Sequence, residues 1–303
     1  MSEKSIKPIV EDNTPKVEET MQAYQTSPVV SLIDKAIADA HLLQEEGKIA
    51  AALEKWCSLA NIVEEVDNEV AARAWFSIGN LLLEQEKTKK ALSAYDKAIC
   101  LKPDYAEAYA QRANVQDALG QYAEAIADYD EAIRLNPANA EAHVNRGFVQ
   151  TKLGNHEAAI ADHDEALRLN PDLVEAYHNR GLAKLMLGKH ESAIEDFDRT
   201  IQLYPESAVP YWNRAMAKGF LRQYKAAIAD YDETIRRMPE YTEAYVERGM
   251  VERSLRQKKK ALADFETALK LTRKTGDEKL EAKLVEEIQE LKEELGWEKR
   301  ADA

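Results

Sequence analysis

Three histidines, His143, His156 and His163, lie close together in the chain, and two of them, His156 and His163, are seven residues apart on one helical face. Imidazoles grouped in this way raise the possibility of a transition-metal site. Against it, His143 and His163 stand at places where equivalent stretches of the chain carry Tyr, Trp or Phe, and His190 stands where Tyr122 and Tyr224 do. They read as rings substituted within the packing, because a metal needs ligands that converge and partners that orient them. The two cysteines, Cys57 and Cys100, are too few for a disulfide framework or a four-thiolate zinc site and read as small packing residues. No Gly-rich phosphate loop, GxSxG, HExxH or CxxC motif is present. The expectation is a protein with no catalysis, no metal and no cofactor.

A second set of charged residues points to structure. Arg112, Arg146, Arg180, Arg214 and Arg248 are each followed sixteen residues later by an aspartate: Asp128, Asp162, Asp196, Asp230 and Asp264. At the equivalent places nearer the start stand Ile78 and Ala94, so both partners are missing together. Paired change of this kind predicts an ion pair joining two helices, since a half-buried charge needs its counterion.

The elements that position these residues follow from a repeat. Pro103, Pro137, Pro171, Pro205 and Pro239 are 34 residues apart, and the segments between them align without gaps. A fixed period of this size means stacked supersecondary units. Apolar spacing inside each unit is helical. The unit from Ala106 predicts one helix to about Leu119, a turn at Gly120 and a second helix to Asn136. Alanines recur at Ala91, Ala125, Ala159, Ala193, Ala227 and Ala261, with a ring four residues on: Tyr95, Tyr129, His163, Phe197, Tyr231 and Phe265. The small residues allow close helix contact and the rings are expected to fill the gap between units.

Trp75-x₂-Ile78-Gly79, then Ala91, Tyr95, Ala98 and Pro103, resemble the tetratricopeptide repeat. The resemblance covers about two-thirds of the chain. It implies an all-α, right-handed α-solenoid of stacked antiparallel helix pairs, with a concave face that binds polypeptide. Six units are expected, over 72–105, 106–139, 140–173, 174–207, 208–241 and 242–275. A degenerate helical hairpin over 28–71 precedes them, a disordered tail covers 1–27, and an amphipathic capping helix covers 276–303.

The resemblance places the first helix of each unit on the inner surface. There Asn145, Asn179 and Asn213 form a ladder of amides, suited either to the main chain of an extended peptide or to water. The apolar residues expected on the same surface are Phe148, His178, Leu182, Leu185 and Met186, then Trp212, Met216, Phe220 and Met250, with Trp212 the leading anchor. The lysine and arginine set with which some members hold an acidic carboxyl terminus is missing. The place that needs Lys carries Phe76, Ala110, Val144, His178, Trp212 and Val246.

The net charge of −14 is uneven: −8 over 1–71, −1 over the six units and −5 over 276–303. That excludes a uniformly basic nucleic-acid surface. Arg253, Arg256 and Lys258 form a basic spot at the far end, either an anion contact or a solvated turn facing the acidic last helix. Leu280, Leu284, Ile288, Leu291 and Leu295 mark an apolar stripe on that helix, for capping or for a homodimer. No window is long and apolar enough to span a membrane, and no leader segment is visible. The expected protein is a cytoplasmic scaffold or adaptor whose partner is another protein or peptide. The alternative is a structural oligomer built through the last helix and the array ends.

Overall fold

The computed structural model describes residues 28–64 and 67–296, so the segment expected to be a disordered tail lies outside the described residues. Among the described residues there are fifteen α-helices and no strand. Internal contacts divide the chain into two compact blocks, residues up to Val115 and residues from Gln116 onward.

The first block holds α1 (Pro28–Glu45), α2 (Ile49–Val63), α3 (Asn68–Glu84), α4 (Thr88–Leu101) and the start of α5 (Ala106–Ala118). Its core runs from Ala52, Trp56 and Leu59 of α2 to Ile78 and Leu81 of α3 and Tyr95 of α4. α3 begins one turn before Ala72 because the Asp67 carboxylate caps it, accepting from the amides of Glu69 and Val70 at 3.0 Å.

The second block continues with α6 (Tyr122–Leu135), α7 (Ala140–Lys152), α8 (His156–Leu169), α9 (Val174–Met186), α10 (His190–Leu203), α11 (Val209–Phe220), α12 (Tyr224–Arg237), α13 (Thr242–Ser254), α14 (Lys258–Thr275) and α15 (Glu278–Glu294). From α6 onward each helix packs on the next, and α7, α9, α11 and α13 also touch in succession. Short connections force each pair into an antiparallel hairpin. The second helices end two residues before Pro103, Pro137, Pro171, Pro205 and Pro239, because the residue before a proline disfavours helix.

The hairpin turns repeat one left-handed residue. Gly120, Gly154 and Gly188 take φ of 75°, 80° and 72°, and Glu86, Arg222 and Arg256 hold the same conformation at 58–59°. Non-glycine residues there carry strain of about 1 kcal/mol.

The rings sit deeper than the sequence suggests. A Cβ added at Gly79 would lie 2.5 Å from Tyr95, at Gly181 2.7 Å from Phe197, and at Gly249 2.6 Å from Phe265. Each ring therefore fills the space within its own helix pair, not only the gap to the next. It reaches the next pair as well: Phe197 clusters with Ala217, and Tyr231 with Val251. His163 holds the same place, 2.8 Å from a Cβ built at Gly147.

Gly276 and Asp277 set the start of α15. α14 runs through Thr275, Gly276 closes that helix at φ 77°, and the Asp277 carboxylate accepts from the Leu280 amide at 3.0 Å. The stripe of α15 is covered by its own chain: Leu284, Ile288 and Leu291 are buried against Leu262, Phe265 and Ala268. Leu280 and Leu295, at the two ends of the stripe, are half-buried against the same cluster. No helix among the described residues is long and apolar enough to cross a membrane.

Candidate functional site

α7, α9 and the connection from α10 to α11 border an open pocket of about 510 Å³. Val144, Asn145 and Phe148 line it from α7, and Val174, Glu175, His178 and Asn179 from α9. The 3.6-residue period puts each of these sets on one helix face. Thr200, Tyr204, Ser207, Val209 and Pro210 close the far wall. Four of the predicted groove residues thus converge, with Phe148 exposed and the amides of Asn145 and Asn179 half-buried. Lys152 sits over the Phe148 ring at 4.4 Å and is held there by Asp117 at 2.7 Å. Burial holds His178 below the ordinary imidazole range, so it faces the pocket as a neutral donor or acceptor.

A smaller pocket of about 340 Å³ lies between α11 and α13, lined by Met216, Phe220, Tyr224, Glu247 and Met250. Phe220 is stacked on His190 at 4.7 Å, and burial raises the Glu247 carboxyl.

Three predicted groove residues do not belong there. Leu185 is buried with Ala193, Phe197 and Ala217 as part of the core. Asn213 is 2% exposed, which breaks the expected ladder after Asn179. Trp212 is half-buried, packing edge-on to Tyr241 at 5.5 Å with its indole nitrogen enclosed, so truncating it would damage the packing first. Leu182 packs partly on the Phe197 core, and Met186 is exposed outside both pockets. Tyr204 and Ser207 carried no first-helix signal because they lie in the connection after α10, and Val209 opens α11 where the other first helices carry Glu107, Glu141, Glu175 and Glu243. Their only signal was departure from the residues at equivalent places, such as Asn136 and Asn170 where Tyr204 stands.

The arginines form three-membered clasps. Arg146 grips Asp162 with Nε at 3.0 Å and Nη2 at 2.5 Å, while its Nη1 reaches back to Asp130 of the preceding pair at 2.5 Å. Arg180 grips Asp196 and Asp164 in the same way, Arg214 grips Asp230 and Asp198, and Arg248 grips Asp264 and Asp232. Arg112 reaches back to Asp96 at 2.6 Å, and Asp128 is buried. One guanidinium, with its fork of donors, thus ties three helices. Lys184 adds a contact to Asp196 at 2.8 Å, and Lys218 one to Asp230 at 2.7 Å.

The basic spot is largely neutralised. Arg253 contacts Glu287, Glu290 and Glu294 of α15, and Lys258 reaches Glu294 at 3.2 Å, whereas Arg256 stays exposed. The histidines do not converge: among the described residues, no three His, Cys, Asp or Glu side chains stand together as metal ligands. His143 Nδ1 lies 3.6 Å from Asp162, too long for a hydrogen bond, and burial pushes His163 down to about 4. Cys100 is exposed and not a packing residue, and burial raises the Cys57 thiol against a small opposing pull from Lys97.

No curated protein matches the chain. Among solved structures, a tetratricopeptide repeat protein from Parabacteroides merdae is 22% identical, with a TM-score of 0.59 over 85% of this chain and 98% of its own. Pseudomonas aeruginosa pilF is 21% identical, with a TM-score of 0.61 over 73% of this chain and 99% of its own. YrrB, described as a TPR protein with an unusual peptide-binding site, is 25% identical, with a TM-score of 0.55 over 61% of this chain and 94% of its own. Four family models described as "Tetratricopeptide repeat" or "TPR repeat" match residues 72–105, 118–154, 139–206 and 213–277, well over half of the sequence. With its stacked helix pairs, its glycine-against-ring packing and these matches, the chain belongs to the tetratricopeptide repeat family.

Proposed function

We propose that this protein is a non-catalytic scaffold or assembly adaptor that holds a segment of another polypeptide against α7 and α9. The observation that carries this reading is the pocket in which two half-buried amides, Asn145 and Asn179, stand beside Phe148 and His178. Amides offer a donor and an acceptor to a main chain whatever its sequence, while the ring and Val144 receive one apolar side chain. Phe220, Met216 and Met250 extend the apolar contact along α11 and α13. The likeness to YrrB, whose structure is described by its peptide-binding site, supports the same reading. Arg253, Arg256 and Lys258 contribute little to an anionic partner, because α15 already supplies carboxylates to two of them.

Phe148 replaces Trp212 as the anchor to test. Phe148→Ala removes an exposed ring and should weaken partner capture by about 2 kcal/mol with the helical circular dichroism unchanged. Asn179→Ala should weaken it further. Capture that withstands both substitutions would eliminate this pocket as the binding site.

A further inference from the structure

We propose a second binding site, in the first block: a pocket on α2, α3 and α4 that receives an acidic, amphipathic helix of a partner protein. It occupies the slot where the Arg clasp is missing. In the clasped pairs the slot is filled by Asp, Arg and Asp from three successive helices. Aligning Ala52 and Trp56 of α2 with Ala91 and Tyr95 of α4 puts Cys57 at the place of Asp96, so the three clasp places here carry Cys57, Ile78 and Ala94. All three clasp charges are therefore lost at once, and all three replacing residues line one pocket of about 540 Å³.

The chemistry of the slot is inverted. Leu53, Trp75 and Leu82 complete an apolar floor, and Lys89, Lys90 and Lys97 of α4 form the rim. Among the described residues none of these lysines has an acidic partner, and Lys97 lies over the Trp75 ring at 3.8 Å. The enclosed Trp75 indole nitrogen has no hydrogen-bond partner. An apolar pocket with an unneutralised cationic rim fits an apolar group flanked by carboxylates. Lys90 and Lys97 are seven residues apart on α4, a rise of about 10 Å. Two carboxylates two turns apart on a partner helix match that spacing, whereas a single-headed lipid answers only one lysine. This is the ground for choosing a protein helix as the occupant.

The test uses the full chain with Cys100→Ser, so that Cys57 in the pocket is the only thiol. The probe is a fluorescent helical peptide with glutamates at i and i+7 and leucines at i+3 and i+4, compared with its glutamine counterpart and with sodium laurate. Anisotropy should show saturable binding of the glutamate peptide, at least tenfold weaker for the glutamine peptide and at least tenfold weaker when NaCl rises from about 50 to 500 mM. Bound peptide should protect Cys57 from N-ethylmaleimide. Lys90→Ala with Lys97→Ala, both exposed, should reduce affinity at least tenfold. Restoring the clasp with Cys57→Asp, Ile78→Arg and Ala94→Asp should abolish binding; the exposed lysine pair carries the test if that variant does not fold. Phe148→Ala should leave binding unchanged, and a loss there would move the peptide to the α7–α9 pocket and overturn the proposal. Equal affinity for the two peptides, or protection of Cys57 by laurate alone, would overturn it too.

Discussion

The α3–α4 pair and the α9–α10 pair solve the same packing problem with opposite chemistry. In both, a glycine faces a buried ring, Gly79 against Tyr95 and Gly181 against Phe197, and alanines let the helices approach. One slot then differs. Around Arg180 it is filled by Asp164 and Asp196, while around Ile78 it is an apolar pocket. The helix pair forms either way, so the glycine, ring and alanine set the hairpin. The clasp is an addition that ties one pair to the one before and closes a space that otherwise accepts a ligand.

Removing one member of a clasp should cost the fold most. Asp196 is 3% exposed and holds both Arg180 and Lys184. Asp196→Ala leaves Lys184 without its aspartate and Arg180 with only the exposed Asp164, and should cost about 3 kcal/mol in denaturant unfolding. Adding Arg180→Leu should recover much of that loss, moving the slot toward the Ile78 solution. Strictly additive losses in this double-mutant cycle would show that the two residues are not coupled.

Much of this architecture was legible in the sequence. The ring and alanine places were visible as a period, and Arg180 with Asp196 was visible because Ile78 and Ala94 change together. The third clasp member was not. Asp96, Asp130, Asp164, Asp198 and Asp232 also repeat every 34 residues, but each serves the arginine of the next pair. Asp96 therefore persists in a unit that lacks its own arginine, and comparison within units hides its role. Half of the candidate groove was legible for a similar reason. Asn145 and Asn179 keep their places at the pocket, but Leu185 lies over Phe197 and Asn213 is closed off. Nothing local in the sequence separates them from their exposed counterparts, because burial is decided by other helices: Ala193 and Phe197 of α10 and Ala217 of α11 around Leu185.

The ring place offers a second, somewhat smaller test. His163 stands where Tyr95 and Phe197 stand, fully buried, with both nitrogens lacking partners. Burial lowers it from 6.5 to about 4, so the folded protein keeps it neutral. Between those values the unfolded chain binds a proton that the folded chain refuses. Stability from this residue is therefore complete above about pH 6.5 and falls as the pH drops toward 4, by about 3 kcal/mol. His163→Phe, which copies the Phe197 solution, should flatten that part of the pH profile in thermal melts at pH 7.5 and 4.5. An unchanged slope would mean that His163 is not the group responsible.

The clasped pairs also differ among themselves. Lys184 and Lys218 reinforce their aspartates at 2.8 and 2.7 Å, but the next residue in that series is Glu252. It is 5% exposed, has an unpartnered carboxylate oxygen and lies near Asp264. Burial first, and the Asp264 charge second, push its carboxyl up to about 7. Because the folded value lies above the ordinary 4.5, ionising Glu252 costs stability as the pH rises between those values. Glu252→Lys removes that cost and restores the lysine seen in the two preceding pairs. The variant should be more stable than the parent by about 2 kcal/mol at pH 8, and by less at pH 5, where the folded parent holds Glu252 uncharged. A gain of equal size at both pH values would assign the improvement to general charge balance; a loss at pH 8 would mean that the last clasp is built around an acid for a reason the earlier pairs do not share.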